Sequence, residues 1–348
     1  MKNKLIALLC VSLLLVGCAK ANVAGEKESD IETTQTQQDV NEDTETREEE
    51  DSPQVKEETE EAEETLEPEE EPFAGYETPD IDYELVWSDE FDGEEIDPEK
   101  WDFQYGDGSY YGVPCWGNNE KEYYTNRKEN VRVEEGKLLI TAIKEEKNVY
   151  GMPYTSARLR TMANTGEVLY ATTYGRVEAR IKLPVGDGIW PAFWMLPADQ
   201  KAYGKWAASG EIDIMEVRGR LPRVVNGTLH YGGRYPDNVY SNQSYELPED
   251  NDVTEYHIYA VEWEPEEIRW FVDDICYFKV SNADWYCKSS GEIKEVSDSA
   301  PFDVPFYILL NVAVGGDFDP MANMTDTVFP ATMEVDYVRV YSRAEPVE

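Results

Sequence analysis

From about Tyr83 onward the sequence is written in short runs rich in Val, Ile, Tyr and Trp, broken by Gly, Asp, Asn and Pro. KLLITAI (137–143), GRVEARIKL (175–183), GEIDIMEV (210–217), HIYAVEW (257–263), IRWFVDD (268–274), FYILLNVAV (306–314) and MEVDYVRVYS (333–342) are the clearest. Most alternate apolar with polar residues, the period of a strand with one buried face, and no segment sustains helical periodicity for three turns with a cap. Many short strands separated by turn signals make an all-β domain, a sandwich or jelly roll of antiparallel sheets. HIYAVEW and IRWFVDD, joined by EPEE, read as a hairpin whose Tyr259, Val261 and Trp263 enter the core, with His257 structural in the same pattern. No internal repeat is present.

The chain before that point is of a different kind. All nine Trp lie between Trp87 and Trp285, whereas residues 19–80 hold only Phe73 and Tyr76 as aromatics, with 24 acidic and four basic side chains. Such a stretch buries too little apolar surface to offset its ordering entropy, so a disordered acidic linker is expected over 18–80, ahead of a domain at 81–345. Residues 1–17 carry two lysines followed by the apolar run Leu5–Val16, a secretory signal by pattern. The run ends LVGC, which resembles the lipobox of bacterial lipoproteins and implies cleavage before a lipidated Cys18. The expected location is the outer face of a bacterial membrane, with the linker as a spacer of roughly 45 Å or more. With Cys10 and Cys18 accounted for, Cys115, Cys276 and Cys287 remain, an odd number in an exported chain. A Cys276 to Cys287 bridge is open, and a domain of this size does not require one.

A formal net charge of -42 argues against nucleic acid and against anionic membrane surfaces as partners, since either repels the chain. A neutral substrate, a monomer, and membrane attachment only through the lipid anchor are the corresponding expectations.

GEIDIMEVRG (210–219) poses a problem of phase. Side chains on a strand alternate between faces, so Glu211 and Asp213 share one and Glu216 falls on the other. Acids on a strand suit a solvated face, but a β-bulge offers another account: one extra residue, Met215, flips the alternation and returns Glu216 to the face of the other two. Counting the bulge, the two Glu backbones stand roughly 13 Å apart. Long side chains leaning inward can close that to the ~5–5.5 Å between nucleophile and acid/base in a double-displacement glycosidase. Three carboxyl groups so near cannot all ionise freely, so their pKa values separate. Sequence order alone does not say which Glu plays which part.

Together with GIWPAFWMLP (188–197), LVWSDEFDG (85–93), WGNNEKEYYT (116–125), NGTLHYGG (226–233) and MEVDYVRVY (333–341), the strand GEIDIME resembles glycoside hydrolase family 16, in its laminarinase-type branch. The resemblance runs from about Leu85 to Tyr341. It implies a concave jelly roll with a glucan cleft across one sheet and a retaining mechanism with no catalytic cofactor. It further implies Glu211 as nucleophile, Glu216 as acid/base, and Asp213 as the residue that hydrogen-bonds the nucleophile. Trp206 then corresponds to the floor of the subsite beside the nucleophile. Trp190 and Trp194 offer one ring for sugar and one for inward packing, unassigned between them. Arg158 and Asn118 correspond to polar contacts on the non-reducing side, and His230 to a histidine near the cleavage point. Glu90, Asp336 and the Gly136 carbonyl align with a structural calcium site of many relatives, against which stands a reading of two surface acids at strand ends. VGGDFDPMANM (314–324) departs from the family's wording near the cleft edge. The expected activity is hydrolysis of laminarin-type β-1,3-glucan. The alternatives are mixed-linkage β-1,3-1,4-glucan hydrolysis by the same residues and, in a different class, glucan binding without catalysis.

Overall fold

The structure, a computed structural model, describes residues 73–320 and 327–344. The expected signal segment, Cys18 and all of the expected linker before residue 73 lie outside the described residues. In chain order the strands are β1 Tyr83–Asp89, β2 Asp102–Gln104, β3 Glu122–Tyr124, β4 Val131–Glu134, β5 Lys137–Val149, β6 Met152–Ser156, β7 Arg158–Arg160, β8 Gly175–Lys182 and β9 Ile189–Pro197. There follow β10 Glu211–Val217, β11 Val224–Gly232, β12 Asn238–Glu246, β13 His257–Trp263, β14 Glu267–Val272, β15 Ile275–Ser281, β16 Phe306–Val314 and β17 Ala331–Arg343. Every alternating run singled out above is a strand.

Two sheets result. One runs β15-β14-β13-β8-β17-β5-β6-β3, with β1 also on β17 and β4 on β5; the other runs β12-β11-β10-β9-β16-β7-β2. All pairings are antiparallel except that of β3 with β6. Their facing sides supply one core, in which Phe193, Ile212, Ile214 and Met215 from the second sheet meet Val177, Tyr259, Trp263 and Trp270 from the first. Each such side chain contributes about 1.5–3 kcal/mol through burial. The polar ends of the two tryptophans are satisfied: Trp263 Nε1 donates to Phe302 O (3.0 Å) and Trp270 Nε1 to Asp213 O (2.8 Å). Burial on both faces accounts for the unbroken apolar run of β16, which lies inside the second sheet between β9 and β7. The β13 to β14 hairpin pairs Trp263 with Ile268, and His257 packs at its end, its Nδ1 2.8 Å from Asp273.

One detail differs from expectation, and one open question is resolved. The chain is already placed from residue 73, where composition put the domain boundary at 81: Phe73 and Tyr76 pack edge to face, and Tyr76 N donates to Cys276 O (2.8 Å). Those two rings are the aromatics that the acidic stretch does contain. Among the described residues, Cys115, Cys276 and Cys287 are free: Cys276 sits with Ala260 and Phe271 in a small separate cluster, while Cys287 Sγ lies against Ala208 O.

Candidate active site

The site is built on β10. Against β11, Asp213 pairs with Thr228 and Glu216 with Asn226, so Ile214 and Met215 together face the single residue Gly227. Both of those side chains are fully buried in the core, and Glu216 accordingly returns to the face of Glu211 and Asp213. Two features accommodate this bulge. It turns the Asp213 carbonyl toward the other sheet, where Trp270 Nε1 meets it. Gly227 leaves room for the same indole, since a Cβ there would stand 2.6 Å from Trp270 Cδ1 and from the Tyr277 hydroxyl.

Each glutamate is held by a tryptophan N–H. Trp206 Nε1 donates to Glu211 Oε2 (3.0 Å), and Trp190 Nε1 to Glu216 Oε1 (2.9 Å). His230, paired across the strands with Glu211, places Nε2 3.3 Å from Asp213 Oδ2 and 3.8 Å from Glu211 Oε1. Asn226 Nδ2 donates to the Glu216 carbonyl, which anchors the strand beyond the bulge.

Burial raises all three carboxyl groups, and the charge of Asp213 adds to the effect on the two glutamates. Glu211 and Glu216 are each pushed up to about 8, with His230 opposing the shift in both. Asp213 is raised well above the usual range by burial. Near neutral pH the cluster therefore holds fewer than three negative charges, the condition under which one carboxyl can give a proton while another attacks. Glu211, Asp213 and His230 also bring one donor atom each within 4.8 Å of one another, a set able to hold a divalent metal ion.

Around the acids lies an aromatic surface. Trp190 and Trp194 both face the cleft, which corrects the expectation that one packs inward; four residues apart on a regular strand, they share a face. Trp194 Nε1 donates to Asn311 Oδ1 (2.8 Å). The Arg158 guanidinium is clasped between the Trp116 ring (4.4 Å) and the Trp194 ring (4.6 Å). Asn118 is close by, but its amide is turned onto Glu120 Oε1 (3.1 Å). Sequence reasoning missed Trp116 and Asn311, and also three rings at the rim: Tyr235 beside Trp206, Tyr240 beside His230, and Phe318 beside Trp190. The pairing of His230 with Tyr240 requires knowing the register of β11 on β12, which no local motif announces.

The residues aligned with a calcium site do not fit one. Both oxygens of Glu90 are taken by Arg339 (3.0 and 2.8 Å), and Asp336 accepts from Arg180 Nη1 (2.7 Å). Calcium takes about six to eight oxygen ligands, and here the two carboxylates are neutralised by guanidinium groups.

A sandwich carrying paired carboxyl groups in an aromatic-lined cleft is the architecture of a polysaccharide-cleaving enzyme. The family model described as Glycosyl hydrolases family 16 matches residues 118–315. The chain is 46% identical over 268 residues to glucan endo-1,3-beta-glucosidase A1 of Niallia circulans, covering 74% of this chain and 37% of that protein. It is 43% identical over 274 residues to the beta-glucanase of Rhodothermus marinus, covering 76% of this chain and 86% of that protein. The laminarinase catalytic domain from Thermotoga maritima superposes with a TM-score of 0.64 at 40% identity, over 76% of this chain and 100% of that chain. The chain belongs to glycoside hydrolase family 16 and is a glycoside hydrolase of jelly-roll fold.

Proposed function

We propose that the protein is a retaining endo-β-1,3-glucanase acting on laminarin-type polysaccharide, exported and tethered to the outer face of a bacterial membrane through a lipidated Cys18. The observation that carries the chemistry is the bulge at Ile214–Met215, which sets both glutamates on one face, each with its own indole N–H. Glu211 attacks the anomeric carbon as Glu216 protonates the departing glycosidic oxygen. Glu216 then takes a proton from the water that releases the glycosyl-enzyme, and the two inversions leave the configuration retained. Asp213, whose ionisation burial opposes, sits beside Glu211 and limits the charge of the cluster; His230 stands over both. Trp206, Trp190 and Trp194 offer ring faces to the apolar C–H faces of glucose. The relatives named above support β-1,3-glucan as the substrate.

The test is product release from residues 73–348 incubated separately with laminarin and with mixed-linkage barley glucan, with Glu216→Gln as control. Laminarin cleaved to short oligosaccharides by the wild type alone is the expected result. Preference for barley glucan overturns the linkage, and binding without cleavage overturns the enzyme in favour of a surface glucan-binding protein.

A further inference from the structure

Beyond the three acids of β10, another carboxyl pair that the chemistry above does not use is buried at the β3 edge of the first sheet, against β16 of the second. Glu120 and Glu122 flank Lys121 at the start of β3 and are 3% and 0% exposed. The two carboxyl groups lie close enough to act on one another directly. Glu122 Oε2 accepts from the Val314 backbone N–H (2.7 Å), whereas its Oε1 is buried with no donor supplied by the rest of the protein. Glu120 has two donors, Asn118 Nδ2 on Oε1 (3.1 Å) and the Tyr124 hydroxyl on Oε2 (3.3 Å). Two ionised carboxylates in contact in a dry interior repel strongly, and an orphan oxygen beside an acceptor is satisfied when it carries a proton.

The donors then all run one way. Trp194 Nε1 donates to Asn311 Oδ1, Asn311 Nδ2 to the Tyr124 hydroxyl (3.1 Å), and Tyr124 to Glu120. Glu120 becomes the single negative end of a relay that begins at a ring of the cleft. The counter-charge is Arg158, whose attraction for Glu120 opposes the rise that burial imposes, and whose guanidinium is stacked on Trp194 itself. Resting on the functional reading above, we infer that Glu120 and Glu122 share one proton, carried on Glu122, and that this acid pair is a positioning device that sets Trp194 and Arg158 for the non-reducing side of the glucan.

The groups facing the pair are Asn118 from the preceding turn, Tyr124 on β3, Arg158 on β7, and Asn311 with the Val314 N–H on β16. Burial first, and then the charge of Glu120, raises Glu122 well above the usual carboxyl range, which favours the proton on Glu122. Loss of that proton would place a second negative charge against Glu120 and pull Arg158 off the Trp194 ring.

Two measurements decide it. The infrared difference spectrum of wild type minus Glu122→Gln at pH 7 is expected to show loss of the carbonyl stretch of a protonated carboxyl group, with no change in carboxylate bands. Loss of a carboxylate band instead overturns the shared proton. This readout needs no activity, so it stands apart from the choice of substrate. Kinetically, Glu122→Gln keeps a donor in place of the proton and is expected to hold KM for laminarin within about twofold. Tyr124→Phe, which cuts the relay but leaves the ring, is expected to raise KM about five- to tenfold with kcat within about twofold. An unchanged KM in Tyr124→Phe, or a tenfold loss in a folded Glu122→Gln, overturns the positioning role.

Discussion

Glu216→Gln should make the folded enzyme inactive and, at alkaline pH, more stable than the wild type. Glu216 is raised from the ordinary 4.5 to about 8, first by burial and then by the charge of Asp213. Because the folded value lies above the unfolded one, the native state binds the extra proton between them, and stability falls as pH rises from about 4.5 to about 8. At about 1.36 kcal/mol per pH unit, that interval sets a ceiling of about 5 kcal/mol. The carboxyl opens on a solvated cleft and shares its shift with two neighbours, so an effect of about 1–3 kcal/mol is expected, or roughly 3–8 °C in Tm. Glutamine cannot ionise, yet its oxygen still accepts from Trp190 Nε1, so the hydrogen bond at 2.9 Å is preserved. Thermal unfolding followed by near-ultraviolet circular dichroism between pH 4.5 and 9 reads the difference directly. The two Tm curves should converge below about pH 4.5 and separate to a plateau above pH 8, the variant higher. A gap that does not change with pH, or a variant less stable than wild type at pH 8, would refute a desolvated carboxyl cluster as the origin of the shift.

Two further outcomes test the geometry. Glu211→Ala, rescued by azide, should yield a glycosyl azide of inverted configuration; a retained product would mean that Glu211 and Glu216 exchange roles. Gly227→Ala forces a Cβ to within 2.6 Å of Trp270 and should cost about 1–3 kcal/mol in denaturant unfolding, with activity falling as the bulge shifts. An alanine tolerated at no cost to stability or rate would show that the bulge does not depend on that vacancy.

The parts of this protein readable from sequence are those governed by period. Alternation placed the core side chains of the β13 to β14 hairpin, and its interruption at GEIDIMEV located the bulge. The same rule bears on Trp190 and Trp194, where the sequence reading has one ring packing inward: their even spacing along β9 puts both in the cleft, as the structure has them. What escaped depends on register between distant segments. Trp116 lies in a short 3-10 turn far from Arg158 and Trp194 in the chain, and only sheet order brings its ring to the other side of that guanidinium. Glu90 and Asp336 read equally well as oxygen ligands or as partners of arginines. The choice turned on Arg339 and Arg180, whose proximity is a matter of which strand borders β17 on each side.

The polar residues of WGNNEKEYYT make the same point about function. In sequence, Asn118, Glu120 and Glu122 are a run of solvent-loving side chains, the kind that a surface loop carries. In the structure Glu120 and Glu122 lie under β16, and Asn118 turns its amide inward to them. Burying two acids is costly unless a proton and a cation are included in the arrangement. Both conditions are met here, by the carboxyl–carboxyl contact and by Arg158. The same Arg158 also lowers Glu211, in opposition to burial. A change in the charge of the Glu120 and Glu122 pair is thereby felt through Arg158 at the nucleophile as well as at the Trp194 platform, so binding and chemistry in this cleft share one buried electrostatic support.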